Sequence, residues 1–318
     1  MKSVEVVGLG SCTVDFFAIV PKLIGADEKI NSERLEIHAG GVTANNLTQV
    51  ARLGASTGWF GLVGDDSNAD IIRKAFEADG MDTSAIEAVP NELSSITWIP
   101  VDSKGERCIY MFPNVTAKIT PAQIRNRFAG YIQQAKHLHT EISQLPMAPV
   151  LAAIEIAKES PCKVILDFDV APRDFISSDM GTEADMMRAL VATDVLKPCK
   201  AAARELTGEK DPEKMARKLL AMGPKVVAIT MGAEGSLVAS GTSITHQPAF
   251  QIDVVDTTGA GDAYMGGLSY ALLMGWSNER AAQLANACAG LCCTQVGARA
   301  MSTRSEVEAL IESQAMTA

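Results

Sequence analysis

Short apolar segments of the chain alternate with longer segments in which apolar residues recur at helical spacing. The short segments predict buried strands, and the longer ones, about 10–15 residues each, predict helices. This alternation is typical of a mainly parallel sheet with helices on both faces, so we expect an α/β fold. The predicted strands lie at residues 4–9, 59–63, 137–141, 163–166, 195–196 and 226–229.

Polar residues follow several of the predicted strands. Asp15 comes shortly after the first strand, Glu141 ends the third, and Asp167 and Asp169 follow the fourth. Open α/β sheets bind ligands outside the carboxyl ends of their strands, so these carboxylates are candidates for one binding site. The alternative is that each one is an ordinary turn, cap or solvated strand-end residue.

Two further segments predict a small sheet that lies over this site as a lid. Residues 16–38 alternate loosely between apolar and polar positions without a long helical pattern, which indicates short strands. Residues 95–112 predict a hairpin with its turn at residues 102–105. No segment rich in Pro, Gly or Ser divides the chain, so we expect a single α/β domain. It spans residues 1–318, with lid insertions at about 12–38 and 92–114.

The segment at residues 254–263 predicts a strand end at residues 254–255, then a Gly-Ala-Gly turn and a helix. Gly259 and Gly261 allow the backbone to bring bare N–H groups close to a ligand, and a helix N-terminus favours a bound anion. Asp262 at the mouth of this site is a candidate general base. It would remove a proton from a hydroxyl group while the N–H groups stabilise a transferring phosphoryl group. The alternative is a Gly-rich strand-to-helix turn with an acidic cap.

A second glycine turn precedes a helix that ends at its C-terminal Gly54. Gly40 and Gly41 form the turn, and Asn45 is expected to point out of the first helical turn. The Asn amide and the backbone N–H groups would hold a small polyhydroxylated ligand there. The alternative is an Asn near a helix start that binds nothing.

The composition argues against several classes of function. A formal charge of -10 argues against a nucleic-acid or anionic-membrane surface, which needs clustered Lys and Arg. Residues 1–7 contain Glu5 and predict a strand rather than a signal peptide. No apolar run approaches the roughly 18 residues that a membrane span needs.

The seven cysteines show no Cys-x-x-Cys spacing, and their number is odd. Cys288, Cys292 and Cys293 lie on one predicted helix among Ala, Gly and Leu, which favours buried small apolar side chains over a metal site. Free thiols are typical of a reducing compartment, so we expect a cytoplasmic protein.

Together these segments resemble the ribokinase-like family of carbohydrate kinases, also called the PfkB family. Residues 40–54 resemble its first signature and residues 256–262 its second. Residues 230–235 resemble its nucleotide loop, and residues 286–298 the region that closes over adenine. The motifs occur in the family's order and extend over nearly the whole chain.

The resemblance implies a ribokinase-like fold, with a central mainly parallel sheet, helices on both faces and a small β-sheet lid. It also implies ATP- and Mg²⁺-dependent phosphorylation of a substrate hydroxyl, usually a hydroxymethyl group. Asp262 would be the base, and Gly259, Ala260 and Gly261 would form the anion hole. Substrate hydroxyls would be held by Asp15, Gly40, Gly41, Asn45 and Glu141. The nucleotide would be contacted by Thr230, Gly232, Gly235 and Asn286.

Some members of the family bind a monovalent cation such as K⁺ beside the anion hole, mostly through backbone carbonyls. The matching positions in this sequence are Asp256, Thr258, Cys292, Gln295, Gly297 and Met301.

The sequence departs from the family pattern at a motif that helps to organise Mg²⁺. Many members have Asn-x-x-Glu ahead of Leu-Thr-Gly, but Cys199 and Ala202 stand at those positions. Neither side chain supplies the hard oxygen donor that Mg²⁺ or its waters prefer. Asp167 and Asp169 are candidates to support Mg²⁺ through water instead. The Lys that often follows the paired glycines is Val42 here, so the acceptor need not be the one after which the family is named.

Three functions remain open: a kinase of a sugar or sugar derivative, a nucleoside kinase of the same fold, and a non-catalytic sugar-sensing protein. Lid residues would separate the first two. Trp98 and Tyr110 could stack on a base, whereas Arg107 could pair with a phosphate or sulfonate. A homodimer formed through the lid is a further expectation.

Overall fold

The computed structural model of the protein describes residues 4–315, so the first three residues of the predicted segment 1–7 lie outside the described residues. The strands are β1 (Val6–Leu9), β2 (Thr13–Ile19), β3 (Arg34–Gly40), β4 (Thr57–Trp59), β5 (Gly61–Gly64), β6 (Ile86–Val89), β7 (Ile96–Val101), β8 (Tyr110–Phe112), β9 (His137–Ile142), β10 (Lys163–Phe168), β11 (Val195–Pro198), β12 (Val226–Thr230), β13 (Ser236–Ser240) and β14 (Ser243–Gln247).

The helices alternate with the strands. They are α1 (Val42–Arg52), α2 (Ser67–Ala78), α3 (Pro121–Gln123), α4 (Ala129–Gln133), α5 (Met147–Lys158), α6 (Pro172–Ser177), α7 (Glu183–Ala192), α8 (Lys200–Thr207), α9 (Pro212–Ala221), α10 (Ala260–Leu273), α11 (Asn278–Cys292) and α12 (Arg304–Ala315). Within residues 4–315, none of these helices has both the length and the apolar character needed to span a bilayer.

Eight strands form the central sheet in the spatial order β14-β13-β12-β11-β10-β9-β1-β4. The six strands from β12 to β4 in this order pair in parallel. β13 and β14 add an antiparallel edge. The prediction of a mainly parallel sheet is therefore confirmed.

Two apolar cores cover the faces of this sheet, because successive residues of a strand point to opposite sides. Val6 and Val195 lie in the core formed with α1, α10 and α11. Val7 and Leu196 lie in the core formed with α5, α7 and α9. The α/β prediction with helices on both faces is confirmed.

The two predicted lid segments come together in a four-stranded sheet of order β3-β2-β7-β8. The pairs β2–β3 and β7–β8 are antiparallel, and β2 pairs with β7 in parallel. The predicted hairpin is confirmed as β7 and β8, with a turn in which the amide of Gly105 donates to the carbonyl of Asp102. Asp15 was expected in a loop after the first strand, and this was wrong. It lies inside β2, because the β-branched and aromatic residues around it continue as a strand.

Two strand predictions need correction. Residues 59–63 were predicted as one strand, but β4 ends at Trp59 and β5 begins at Gly61, whose φ of 152° breaks the extended backbone. β5 pairs with β6 in a separate two-stranded sheet. Val254 and Val255 were predicted to end a strand, yet both lie in an irregular exposed segment. The amide of Val255 donates to the carbonyl of Cys293 instead of to a neighbouring strand.

Candidate active site

The N-terminus of α10 provides an anion-binding geometry at the edge of the central sheet. Gly259 precedes the helix with φ of 79°, in the left-handed region that favours glycine. A Cβ atom at Gly259 would lie 2.1 Å from the carbonyl oxygen of Ala298, so the close approach also requires glycine. The amide of Gly261, in the first turn, has no acceptor one turn earlier in the helix and can donate to a bound anion, whereas the amide of Ala260 makes a long contact of 3.3 Å with the carbonyl of Thr257 that an anion would have to replace.

Asp262 lies in the first turn of α10, with only 8% of its surface exposed. Its Oδ2 accepts a hydrogen bond of 2.8 Å from Nδ2 of Asn45. Burial, followed by the charges of Asp169 and Asp167, raises the pKa of Asp262 well above its ordinary value. The carboxylate therefore has the position and the raised basicity that a general base needs.

Asn45 does not point out of the helix as the sequence analysis expected. It is buried and faces Asp262, because α1 packs against α10. Its Oδ1 accepts a hydrogen bond of 3.1 Å from Nε of Arg299, and Nη2 of Arg299 donates to the carbonyl of Gly40 at 3.0 Å. The sequence analysis missed Arg299, since a single Arg in a loop belongs to no pattern.

Asp15 is buried against the glycine turn that precedes α1. Its Oδ1 accepts a hydrogen bond of 2.7 Å from Oγ1 of Thr13. A Cβ atom at Gly40 would lie 1.9 Å from Oδ2 of Asp15, and one at Gly41 would lie 2.6 Å from the carbonyl oxygen of Ser11. The two glycines therefore allow the Asp15 carboxylate to lie directly against the backbone. Burial raises the pKa of Asp15.

Glu141 is fully buried at the end of β9. Its Oε2 accepts hydrogen bonds from Oγ of Ser11 at 2.9 Å, from the amide of Thr43 at 3.0 Å and from Oγ1 of Thr43 at 2.7 Å. Its Oε1 has no hydrogen-bond partner among the described residues. The carboxylate thus joins the start of α1 to the loop after β1, and one oxygen stays available. Burial raises the pKa of Glu141.

A row of charged side chains crosses the ends of three neighbouring strands. Glu141 of β9 is in register with Asp167 of β10, which is in register with Lys197 of β11. Nζ of Lys197 lies 3.0 Å from Oδ1 of Asp167, and both side chains are almost completely buried. The pair is close but poorly aligned, because neither oxygen of Asp167 accepts a well-directed hydrogen bond from the described residues.

Charge in this row shifts several pKa values. Burial, opposed by Lys197, raises the pKa of Asp167 to about 7. Burial alone would lower the pKa of Lys197, but the carboxylates of Asp167, Asp169 and Asp262 outweigh it and raise the pKa. Asp169 keeps an exposed side chain at the cleft, although the surrounding protein still raises its pKa by desolvation. The alternative given for these carboxylates was that they are solvated strand-end residues. The exposure of Asp169 is consistent with that alternative, whereas Asp167 is fully buried.

Cys199 and Ala202, which stand in place of the Asn and Glu of the Asn-x-x-Glu motif, lie at the start of α8. Cys199 caps the N-terminus of α8, where its Sγ accepts from the amide of Ala202 at 3.4 Å. Ala202 is fully buried, so neither position presents an oxygen to the cleft. No group of three or more His, Cys, Asp or Glu side chains suited to a metal occurs in the part of the chain that the structure describes. The carboxylate of Asp169 is exposed at these strand ends, and a carboxylate is the kind of hard oxygen donor that Mg²⁺ or its waters prefer.

A cavity of about 420 Å³ adjoins the N-terminus of α10 and has the size of a small-molecule site. Its walls include Thr230, Gly232, Gly235 and Asn286, the four predicted nucleotide residues, together with Gly261 of the turn. Nδ2 of Asn286 donates to the carbonyls of residues 247 and 248, which holds the loop that forms the apolar wall. The cavity and the anion-binding turn are therefore continuous, as a nucleotide requires.

The residues matched to a monovalent cation lie around the loop that precedes α10. Asp256 accepts from the amide and hydroxyl of Thr258 at 2.9 and 2.7 Å and from the amide of Gly297 at 3.0 Å. Burial opposes ionisation of Asp256, but the hydrogen bonds outweigh it and lower its pKa. Sγ of Cys292 donates to the carbonyl of Thr258 at 3.5 Å. The remaining two positions are an exposed Gln295 and a buried Met301, whose carbonyl accepts from Arg52.

Register in the lid sheet separates its residues into two faces. Asp15 is in register with Thr97, and Arg107 is bridged to Val101 of the same face. Arg107 also lines a cavity of about 350 Å³ with Asp256 and Thr258. Trp98 and Tyr110 are paired with each other on the opposite face. They do not point into the cleft, so this arrangement favours the second of the two possibilities left open for the lid, a charged group paired with Arg107.

Three comparisons relate this chain to known proteins. Residues 1–304 match the family described as pfkB family carbohydrate kinase. The ribokinase of Haemophilus influenzae is 29% identical over 310 residues, 96% of this chain and 97% of that protein. The ATP-dependent ribose-1-phosphate kinase of Halopiger xanaduensis is 30% identical over 97% of this chain and 98% of that protein. The structure of Arabidopsis thaliana ribokinase complexed with ribose and ATP has a TM-score of 0.85 at 24% identity, covering 98% and 99% of the two chains.

Proposed function

Because the chain belongs to the pfkB family of carbohydrate kinases, we propose that it transfers the γ-phosphoryl group of ATP to a hydroxyl group of a sugar or sugar derivative. The observation that carries this proposal is the position of Asp262, a buried carboxylate of raised pKa directly beside an anion-binding helix N-terminus. A carboxylate beside an anion site is unfavourable unless it does chemistry there. A general base for phosphoryl transfer explains both features.

Asp262 accepts the proton of the acceptor hydroxyl as its oxygen attacks phosphorus. The N–H groups of Gly259, Ala260 and Gly261 donate to the phosphoryl oxygens, where negative charge must be stabilised during transfer. The acceptor hydroxyl is a hydroxymethyl group in this proposal, since a primary alcohol reaches a recessed base most easily.

ATP occupies the cavity lined by Thr230, Gly232, Gly235 and Asn286, with its phosphates toward α10. Mg²⁺ bound to those phosphates would neutralise part of their charge, and the exposed carboxylate of Asp169 would support its waters. A monovalent cation such as K⁺ would be held beside the loop that contains Asp256 and Thr258, mostly through backbone carbonyls, while the carboxylate of Asp256 accepts hydrogen bonds from the amides of Thr258 and Gly297.

The acceptor binds on the lid side of Asp262. Asp15 and the Gly40–Gly41 turn offer a carboxylate and backbone groups to sugar hydroxyls, and the unpartnered Oε1 of Glu141 is a further acceptor. Asn45 has one N–H left for substrate after its bonds to Asp262 and Arg299. Arg107 adds a positive charge at the outer edge of the site, which favours an acceptor that carries a carboxylate or phosphate.

A nucleoside kinase is disfavoured, because the lid aromatics Trp98 and Tyr110 lie on the wrong face to stack on a base.

The outer face of the lid, which carries Trp98 and Tyr110, also exposes Leu35, Ile37 and Phe112. An exposed apolar patch of this kind marks an interaction surface, and we propose that a second copy of the chain covers it. Sedimentation of the wild type and of Ile37→Glu tests this: the variant should be monomeric where the wild type is a dimer. The seven free cysteines and the use of ATP support a cytoplasmic location in this proposal.

The decisive experiment measures ATP consumption with a panel of sugars, sugar acids, sugar phosphates and nucleosides, for the wild type and for Asp262→Asn. Asn keeps the shape of the side chain but cannot accept the proton, so kcat should fall by about 10²–10⁴-fold while ATP still binds. Asp253→Asn, an exposed carboxylate in the loop before α10, is the matched control. An Asp262→Asn protein that keeps more than about a third of the wild-type kcat would remove Asp262 from the mechanism.

If a nucleoside is the best acceptor, the sugar assignment is wrong. If no acceptor is turned over while a sugar binds, a non-catalytic sugar-sensing protein is the better description.

A further inference from the structure

Lys197 is a buried cation at the centre of the proposed reaction site, and no motif of the sequence singled it out. It ends β11, and only 4% of its side chain is exposed. A Cβ atom at Gly261 would lie 3.2 Å from Nζ of Lys197, so the ammonium group lies directly beside the anion-binding turn. On its other side, Nζ lies 3.0 Å from Oδ1 of Asp167.

Pairing with Asp167 does not account for this ammonium group by itself. A Lys ammonium has three donors, and the contact with Asp167 is too poorly aligned to be a directed hydrogen bond. A buried ion pair is also costly to form unless further interactions compensate the desolvation. Nζ of Lys197 lies between Oδ1 of Asp167 and the backbone of Gly261, beside the helix N-terminus where the phosphoryl group would pass.

The start of α8 supplies no oxygen donor near the phosphates, and this leaves a role for the ammonium group of Lys197. Cys199 provides a thiol cap and Ala202 a buried methyl group, so neither supplies an oxygen donor for the charge around the phosphates. A site without those donors needs another source of stabilisation for the transferring group. An ammonium group beside the helix N-terminus supplies it, because a fixed positive charge in a water-poor site strongly stabilises developing negative charge.

We propose that Lys197 is a further catalytic residue, which donates hydrogen bonds to the γ-phosphoryl oxygens during transfer; this rests on the proposed function. The bond between phosphorus and the ADP oxygen breaks as the bond to the acceptor oxygen forms. The acceptor proton goes to Asp262, and Lys197 keeps its proton throughout. Asp167 holds the ammonium group in position from the opposite side.

A double-variant experiment separates this role from simple neutralisation of Asp167. Lys197→Met alone leaves a buried carboxylate unpaired, which is strongly destabilising, so the informative protein is Asp167→Asn/Lys197→Met, in which both partners are neutral. If Lys197 only balanced Asp167, the double variant would be as active as Asp167→Asn. We expect its kcat to be about 10²–10³-fold below that of Asp167→Asn, with little change in the KM for the acceptor.

Lys200→Met, which removes an exposed Lys three residues further along the chain, is the control and should match the wild type. Lys197→Arg should recover part of the rate, since it restores the charge. Thermal unfolding of each variant verifies that it is folded. A kcat for the double variant within threefold of Asp167→Asn would overturn the proposal.

A binding measurement makes the test independent of the acceptor. Calorimetry compares ADP with a non-hydrolysable ATP analogue, with and without Mg²⁺. If Lys197 contacts the γ-phosphoryl group, the wild type should prefer the triphosphate, and this preference should drop at least tenfold in the double variant relative to Asp167→Asn. An unchanged preference would refute the role of Lys197 even if no acceptor is found. A lost preference together with an empty acceptor panel would contradict only the proposed function.

Discussion

Asn45 and Asp262 are 217 positions apart in the chain, yet Nδ2 of Asn45 donates a hydrogen bond of 2.8 Å to Oδ2 of Asp262. The orientation of this amide is not free. Arg299 donates from Nε to Oδ1 of Asn45, and a guanidinium group has no acceptor, so the amide nitrogen must face Asp262. The three residues form a chain of two hydrogen bonds. Arg299, in the C-terminal loop, fixes the Asn45 amide, and this amide in turn holds the candidate base.

Replacement of Arg299 by Met should lower kcat more than it raises either KM. The change removes a charge-assisted hydrogen bond from the Arg299 guanidinium, worth about 1.5–3 kcal/mol, which corresponds to a loss of roughly 10- to 150-fold if the amide then reorients. Steady-state kinetics of Arg299→Met measure this, and Arg304→Met, which removes an exposed arginine paired with Glu308, is the control. In an Asp262→Asn background the Arg299 change should have no further effect on kcat, because the effects of substitutions in one hydrogen-bonded chain are not additive. An equal loss in that background would show that Arg299 acts elsewhere.

Asp262→Asn should make the folded protein more stable at neutral and alkaline pH. The pKa of Asp262 is raised in the folded state by burial, so the folded protein binds more protons than the unfolded one between the ordinary and the raised pKa. Wild-type stability therefore falls as the pH rises through that window, and the Asn variant escapes this loss. The gain in unfolding free energy should therefore be larger at pH 8 than at pH 4.

Chemical denaturation at pH 4 and at pH 8 measures this gain. At pH 4 the two proteins should differ little, since the wild-type carboxyl is then protonated in the folded state. A gain of the same size at both values would mean that packing, not charge, makes the Asn variant more stable.

Asp15→Ala should weaken binding of the acceptor and leave ATP almost unaffected. Asp15 lies in the lid sheet against Gly40, whereas the nucleotide cavity lies on the far side of Asp262. Loss of a hydrogen bond from a charged group costs about 1.5–3 kcal/mol, so the KM for the acceptor should rise roughly 10- to 150-fold. Separate titrations of acceptor and ATP measure the two effects, with Glu33→Ala, an exposed lid carboxylate, as the control. Equal losses for both substrates would contradict the division into two half-sites.

Local patterns predicted the elements and the glycine turns but not the contacts that connect distant segments. The spacing of apolar residues located α1 and α10, and their glycine turns followed from residue type alone. Val254 and Val255 were misassigned because β-branched residues favour strands only where a neighbouring strand can pair with them. The choice between stacking by Trp98 and pairing by Arg107 stayed open because the face that a lid residue occupies depends on register, which a single strand does not reveal.

Lys197 was visible as a polar residue directly after an apolar strand, the same signal that singled out Glu141 and Asp167. Its meaning depends on the parallel register that aligns these three strand ends, and that register joins residues 26 and 30 positions apart in the chain. Arg299 carried no signal of this kind. Its contacts with Asn45 and Gly40 exist only because the C-terminal loop passes beside the start of α1.

Substitutions of Asp169 and Asp167 should have different effects on the Mg²⁺ dependence of the rate, although the two residues are only two positions apart. Asp169 is exposed at the cleft and can bind the waters of a metal ion, whereas Asp167 is buried and paired with Lys197. Asp169→Ala should therefore raise the free Mg²⁺ concentration for half-maximal rate, by about 10–100-fold if it supports the ion as outer ligands commonly do. Asp167→Ala should shift this concentration less and lower the maximal rate instead. Rate against free Mg²⁺ at saturating ATP measures both, with the exposed Asp174→Ala as control.

The same measurement tests whether the missing Asn matters. Cys199→Asn restores an oxygen donor and also a favourable helix cap at the start of α8, so it should lower the Mg²⁺ requirement without loss of stability. Ala202→Glu is a poorer choice, because Ala202 is fully buried and a Glu there would have to displace its neighbours. If neither Asp169→Ala nor Cys199→Asn moves the curve, Mg²⁺ is held by the nucleotide phosphates and water alone, and the support assigned to Asp169 is wrong.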